Sequence, residues 1–144
     1  MRRIICFMLV LLAIFVVCAC GYINPEGSVI LISDGHKNAP VKNWIYEMSN
    51  GTAADGMRRN PEDLSSELSD IVFADDFEIV IKGRIYNSPE YLIYNLSKNE
   101  TFFQGQAFKK PTESGVYIVR LEIGWGNDTR YAGYQYFFKL IVSD

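Results

Sequence analysis

The sequence has few of the residues on which most catalytic sites depend. Its 144 residues include one histidine, His36, which follows a Ser33-Asp34-Gly35 turn and is expected in an exposed loop. A Ser-His-Asp triad would have to use His36, yet no Gly-x-Ser-x-Gly turn is present to hold a nucleophile. A zinc site would be short of ligands, and no glycine-rich loop could hold a phosphate. The sequence therefore predicts a protein without enzymatic activity, cofactor or metal.

The acidic residues offer the one remaining route to acid–base or calcium chemistry. Their densest group is formed by Asp70, Asp75, Asp76 and Glu78. Glycoside hydrolysis needs two facing carboxylates, and calcium needs a cluster of oxygens such as an Asp-x-Asp-x-Asp-Gly loop supplies. No such loop occurs here. A solvated strand edge is the preferred interpretation of these acids.

What the chain does have is an unbroken apolar run at its N-terminus. Residues 4–19 follow Met1-Arg2-Arg3 and contain no charge, amide, hydroxyl, glycine or proline. The run is shorter than the roughly 20 residues of a membrane-spanning helix. A charged start followed by a short apolar stretch is typical of a signal peptide. We expect residues 1–19 to direct export and then to be removed.

The end of this run resembles the cleavage site of bacterial lipoproteins. Val17-Cys18-Ala19-Cys20 has an aliphatic residue at −3 and a small one at −1, although Cys18 departs from the usual Ser, Thr or Ala. The resemblance implies that Cys20 carries diacylglycerol and holds the mature chain on the extracytoplasmic face of the cell membrane. Two acyl chains suffice for stable anchoring. The alternatives are ordinary signal-peptidase cleavage, an uncleaved signal anchor and a cytosolic protein with a buried N-terminal helix.

Cysteine content and charge agree with that interpretation. Cys20 is the last cysteine in the chain, so the mature protein would have no intrachain disulfide. Removing residues 1–19 takes the net charge from −3 to −5. An acidic chain without a basic cluster argues against nucleic acid as a partner and against electrostatic docking on anionic lipid. The membrane contact would then be the covalent lipid.

The rest of the chain has the periodicity of strands. We assign residues 20–27 to a polar tether and residues 28–144 to one mainly β domain. A short helix is expected to begin at Asn60-Pro61 and to end near Ser69, with Leu64 and Leu68 as anchors. Strands are predicted at 28–33, 43–48, 71–73, 77–81, 91–94, 102–108, 116–125 and 131–142. This pattern favours an antiparallel β-sandwich.

The last two predicted strands form a long hairpin with distinct faces. One face carries large apolar and aromatic residues, from Tyr117 to Trp125 on the first strand and from Tyr134 to Val142 on the second. The other face carries Arg120, Glu122, Gln135 and Lys139. The first set is predicted to face the core.

Glu113-Ser-Gly115-Val-Tyr117-Ile-Val119 resembles the signature at the start of strand F in immunoglobulin-like domains, with Val119 in place of the cysteine. The resemblance implies that Tyr117 forms a tyrosine corner, its hydroxyl bonding to the backbone just upstream. A tyrosine in an ordinary hairpin is the alternative. Trp44 and Trp125 are predicted to be structural.

A wider pattern comprises Asp34-Gly35, Trp44 with Tyr46, the stretch from Asn50 to Asp55, and Gly115-x-Tyr117. It is similar to small Gram-positive lipoproteins of undefined function and to the extracytoplasmic tails of antirepressor-type membrane metallopeptidases. The resemblance implies an exported immunoglobulin-like module. No catalytic residue carries over, because the zinc ligands of those peptidases lie in a membrane domain that has no counterpart in this sequence.

Two segments are candidates for contact with a partner. The loop 49–60 carries Asp55, Arg58 and Arg59 beside small residues. The chain also has more aromatics than a small core needs, and four tyrosines are predicted to be exposed: Tyr86, Tyr91, Tyr94 and Tyr131. The predicted function is a binding module for a protein or a cell-wall glycan. The alternative is a structural or regulatory accessory subunit of a membrane peptidase, transporter or sensor complex.

Overall fold

The computed structural model describes residues 27–33, 35–38, 42–48, 58–73, 75–127 and 130–143. The predicted signal peptide, Cys20 and Asp55 lie outside these ranges. The described chain is mainly β, as predicted. Its elements are β1 Ser28–Ser33, β2 His36–Asn38, β3 Lys42–Met48, a 3-10 helix Pro61–Leu64, β4 Asp70–Val72, β5 Glu78–Lys82, β6 Glu90–Asn95, β7 Glu100–Gly105, β8 Gly115–Asn127 and β9 Arg130–Val142.

The strands form a small sheet and a large sheet. The small sheet has the order β2-β1-β5, and the large one has the order β3-β9-β8-β6-β7 with β4 also on β9. All pairings are antiparallel except that of β4, which runs parallel to β9 with Ile71 opposite Leu140. The sheets are therefore antiparallel as predicted, with β4 as the exception among the described strands. The reason lies in β9, whose outer edge pairs with β3 up to Phe137 and with β4 from Lys139 onward.

The β8–β9 hairpin is the longest paired unit described. Its register is continuous from Gly115 opposite Val142 to Asn127 opposite Arg130. This matches the predicted strands 116–125 and 131–142. Alternating side chains along both strands give the hairpin its two faces, because successive residues of a strand point to opposite sides.

The main core lies between the two sheets. The inner face of the large sheet packs against Leu31, Val29, Ile79 and Ile81 of the small sheet, an arrangement consistent with a β-sandwich. Burial of these apolar side chains is the dominant contribution to folding. The inner-face residues of the β8–β9 hairpin in this core are Tyr117, Val119, Leu121, Ile123, Trp125, Ala132, Tyr134, Tyr136, Phe138 and Leu140.

The outer face of the large sheet is covered by residues 58–68. Leu64 and Leu68 are buried there against Ile118 and Phe137, with Trp44 packed at the side. These two leucines are the anchors that the sequence predicted. The predicted helix, however, is one 3-10 turn, and the Asn60 side chain makes no capping hydrogen bond. Four residues form too short a helix to be stable alone, so packing on the sheet holds the turn in place.

Two further local predictions are corrected. His36 was expected in an exposed loop, but it begins β2 opposite Ser33 and is exposed there. The strand predicted to run to Phe108 ends at Gly105. Within the described ranges, no helix has the length and apolarity needed to cross a membrane.

Candidate functional site

Polar residues of the outer face form a cluster beneath the segment that covers it. Glu122 on β8 lies opposite Gln135 on β9, and both side chains are buried. The Gln135 side-chain amide donates to Glu122 Oε1 at 2.8 Å. The sequence predicted the polarity of this face but not its burial. Ile118 and Phe137 on the same face were the signal, because two large apolar residues there indicate a covering segment.

The Glu122 carboxylate is shared between two arginines. Arg120 Nε lies 3.2 Å from Oε1, and Arg58 Nε lies 3.4 Å from Oε2. Although Arg120 Nε is close enough for an ion pair, it is buried and its geometry does not make a hydrogen bond. A carboxylate that is only 7% exposed needs such compensation, because an unpaired buried charge is costly.

Arg58 and Arg59 come at the end of the loop named as a contact surface, and both are exposed. The Arg58 guanidinium lies 4.8 Å from the centre of the Tyr46 ring, and that of Arg59 lies 5.9 Å from the Trp44 ring. The Arg59 backbone N–H donates to Gln135 Oε1 at 2.8 Å. Contacts with side chains of the large sheet therefore hold both arginines in place. Asp55, the third residue of the predicted contact surface, lies outside the described residues.

The electrostatics of this cluster follow from burial and from Glu122. Burial, followed by the nearby Glu122 charge, raises the pKa of Tyr46 above its usual value. The same carboxylate raises the pKa of Arg58. Both shifts favour the neutral phenol of Tyr46 and the charged guanidinium of Arg58. Gly133 permits this packing, because a Cβ there would lie 2.8 Å from Cζ of Tyr46.

An aromatic pair lies at one end of the same face. Tyr86 stacks on Tyr131 with ring centres 4.4 Å apart and planes 8° from parallel. The Tyr131 hydroxyl donates to Glu47 Oε1 at 2.7 Å. Tyr86 is exposed as predicted, and Tyr94 and Tyr131 are half-buried. The prediction for Tyr91 is wrong, since it is buried in the main core on the inner face of β6.

The residues predicted to be structural all make specific contacts. The Tyr117 hydroxyl donates to the Glu113 carbonyl at 3.0 Å, the contact that the immunoglobulin-like signature implies. Gly115 begins β8 close to the Tyr117 ring. The Trp125 indole N–H donates to the Tyr136 hydroxyl at 2.7 Å. Trp44 packs edge-on against Phe137 with ring centres 5.3 Å apart.

Three of the four acidic residues considered for catalysis or calcium binding have separate partners, and the fourth, Glu78, begins β5. Asp70 pairs with Lys139 Nζ at 2.5 Å, and Asp75 lies 3.4 Å from Lys110 Nζ. Asp76 accepts from the Gly35 backbone N–H at 2.8 Å. In the part of the chain that the structure describes, no three His, Cys, Asp or Glu side chains come together as a metal site would require.

No family model matches the sequence, and neither curated proteins nor solved structures give a match.

Proposed function

We propose that the protein is a lipid-anchored, extracytoplasmic binding module whose ligand is a protein or a cell-wall glycan. Residues 1–19 would export the chain, and Cys20 would hold it to the membrane. The observation that carries the binding role is the pair of exposed guanidinium groups of Arg58 and Arg59 above the Tyr46 and Trp44 rings. This arginine–aromatic surface, formed by these four residues, is the proposed ligand contact.

Preorganisation is the physical reason for choosing this surface. Ordering a long side chain on binding costs about 0.5–1.5 kcal/mol, so a guanidinium that is already held loses less. Arg58 is held by Glu122 and Tyr46 although its side chain is 61% exposed. Arginine and aromatic residues are also the types enriched in binding interfaces. A surface built in this way suits a partner with carboxylates, carbonyls or hydroxyls.

We also propose that the domain is immunoglobulin-like. The Tyr117–Glu113 hydrogen bond and the packing of the two sheets support this proposal. One departure is that β7 leads directly to β8 within the large sheet, whereas strands D and E intervene between C and F of an immunoglobulin domain. In the small sheet β5 pairs with β1, and β1 pairs with β2, so the other two strands of that sheet come from the start of the described chain.

The ligand contact is tested with Arg59→Ala in the full-length protein. The substitution removes the side chain above Trp44 and leaves the backbone bond to Gln135 in place. Membrane extract and purified cell-wall glycan are each passed over immobilised wild type, Arg59→Ala and the control Lys98→Ala, an exposed lysine paired with Glu113. We expect Arg59→Ala to weaken capture and Lys98→Ala to leave it unchanged. Equal capture by all three would refute this surface.

The anchor is tested separately with Cys20→Ala. We expect wild type to incorporate a fatty-acid probe and to remain in the membrane fraction, and the variant to lose the probe. A variant that still carries the probe would show that Cys20 is not the lipidated residue. Should the captured ligand be a membrane peptidase, transporter or sensor, the module would act as an accessory subunit.

A further inference from the structure

We infer that one end of the domain rests on the surface of an anionic phospholipid bilayer. This end is formed by Lys82, Arg84, Ile85 and Tyr86, and we call it the basal end. The inference rests on the proposed function, because it requires the lipid on Cys20. It adds an orientation and a second membrane contact to that anchor.

The first observation is where the described chain begins. Gly27 lies directly on the Trp125 indole, since a Cβ at Gly27 would be 2.2 Å from Cε3 of that ring. Ile85 forms a bridge with Trp125, and the Tyr86 N–H donates to the Gly124 carbonyl at 2.7 Å. The residue nearest the proposed anchor therefore lies at the same end of the molecule as Ile85 and Tyr86.

The second observation is the reach of the tether. Gly27 follows Cys20 by seven residues, which span at most about 25 Å when fully extended. The strand from Gly115 to Trp125 rises about 33 Å at roughly 3.3 Å per residue. With the hairpin upright on the bilayer, the tether is too short for the Gly115 end to face the membrane, whereas the Trp125 end is within its reach.

The third observation is the chemistry of the basal end. Ile85 and Tyr86 are 41% and 42% exposed, two of the three large hydrophobic side chains that stand out as exposed among the described residues. Transfer of an isoleucine side chain out of water is favourable, and tyrosine favours the interface between headgroups and acyl chains. Lys82 and Arg84 are exposed beside them, and each cation near an anionic membrane contributes about 1 kcal/mol.

The third exposed hydrophobic residue provides an internal control. Val72 is 61% exposed and lies opposite Ile141, which in turn pairs with Val116 near the start of β8. It is therefore at the end that the tether cannot bring to the membrane. Among the described residues, Glu47 is an acid near the basal end, and its carboxylate accepts the Tyr131 hydroxyl. Lys82 and Arg84 thus place two exposed cations at this end of a chain whose net charge is negative.

The experiment measures the depth of two labelled positions in the mature, lipidated protein. Ser88→Cys places a thiol beside the basal end, and Ser97→Cys places one in the β6–β7 turn at the opposite end; both serines are exposed. Because Cys6 and Cys18 would leave with residues 1–19 and Cys20 would be acylated, each introduced thiol is the single site for a fluorophore. The protein is reconstituted in phosphatidylcholine–phosphatidylglycerol vesicles that contain a headgroup-level lipid quencher.

We expect strong quenching of the label at 88 and little at 97. Adding Ile85→Ser and Tyr86→Ser together should reduce the quenching at 88, whereas Val72→Ser should not. Equal quenching at 88 and 97, or no effect of the double substitution, would refute the inference. Flotation with the vesicles and fatty-acid labelling separate the two failures. A chain that carries lipid and floats with the vesicles, but whose label at 88 is not quenched, refutes only the inference. A chain without lipid refutes the anchor and the inference together.

Discussion

The two faces of the large sheet are both buried, but by different means. The inner face is apolar and packs against another sheet, so its stability comes from burial and close packing. The outer face has an apolar half around Phe137 and a polar half around Glu122, and both halves lie beneath residues 58–68. A polar strand face therefore need not face solvent when its charge is compensated by a residue of the same strand and by the segment that covers it.

The two faces also differ in what a covering segment must supply. Any apolar side chains of suitable volume can cover the inner face. The outer face instead needs a cation beside Glu122 and a donor for Gln135, which Arg58 and the Arg59 backbone N–H provide. This requirement fixes the position of residues 58 and 59, and with it the proposed ligand surface. Four test substitutions, one matched control and one pH measurement test the comparison.

Phe137→Ala tests whether the outer face is as well packed as the inner one. Phe137 is fully buried against Trp44, Leu64 and Leu68. We expect a loss of about 3–5 kcal/mol in the free energy of unfolding, the usual cost of removing a buried phenylalanine ring. Urea denaturation of wild type and variant measures it. A loss below about 0.5 kcal/mol, typical of surface positions, would mean that residues 58–68 do not cover this face.

Glu122→Gln tests the polar half. The change keeps the side chain's size and leaves Arg120 without its counter-charge in a mostly buried position. We expect a loss of about 3 kcal/mol in the free energy of unfolding, again measured by urea denaturation, because removing one partner of a buried ion pair leaves an uncompensated charge.

The matched control is Glu90→Gln. Glu90 lies directly opposite Glu122 on β6 but is exposed, and its carboxylate accepts from Gln104 at 2.7 Å. A glutamine oxygen can accept the same bond, and the change removes a like charge from the neighbouring strand. The control should therefore be neutral or slightly stabilising. Equal losses for both variants would refute the claim that burial distinguishes the two carboxylates.

Tyr136→Phe tests a polar contact on the inner face. It removes the acceptor of the buried Trp125 indole N–H and leaves that donor unsatisfied. We expect the free energy of unfolding to fall by about 1–3 kcal/mol, the usual cost of a buried donor without an acceptor. Thermal or urea unfolding measures this change. A neutral result would show that the indole N–H reaches water or another acceptor.

The same tyrosine predicts an alkaline pH dependence. Burial raises the pKa of Tyr136 from 10.0 to about 12. Between those values the folded state holds a proton that the unfolded chain has released, so the free energy of unfolding falls as pH rises. Near pH 11 this group accounts for about 1 kcal/mol. We expect wild type to lose more stability than Tyr136→Phe between pH 9 and pH 11, and parallel curves would contradict the assignment.

Tyr117→Phe should have the smallest effect. The lost hydrogen bond ends on the carbonyl of Glu113, an exposed residue, so water can replace the donor. We expect a loss of about 0.5–1.5 kcal/mol, the usual net value of one hydrogen bond. A change within a few tenths of a kcal/mol would remove the corner from the description of the fold and leave the packing of the sheets unaffected.

The sequence by itself determined the parts of the molecule in which one periodic pattern specifies one environment. The alternation from Tyr117 to Trp125 and from Tyr134 to Val142 predicted the hairpin and its inner face, because a strand with one apolar side has one way to bury it. Leu64 and Leu68 were identified as anchors because they are the only large apolar residues of the predicted helix. The resemblance around Gly115-x-Tyr117 implied the Tyr117 contact.

Only the tertiary structure decided where polar and isolated residues lie. The sequence could not show which segment buries Glu122 and Gln135, because their partners Arg58 and Arg59 are more than 60 residues away in the chain. The parallel pairing of β4 depends on the length of β9 left open beyond β3. Local patterns record which side of a strand is apolar, whereas the choice of the segment that covers a polar side depends on contacts between distant parts of the chain.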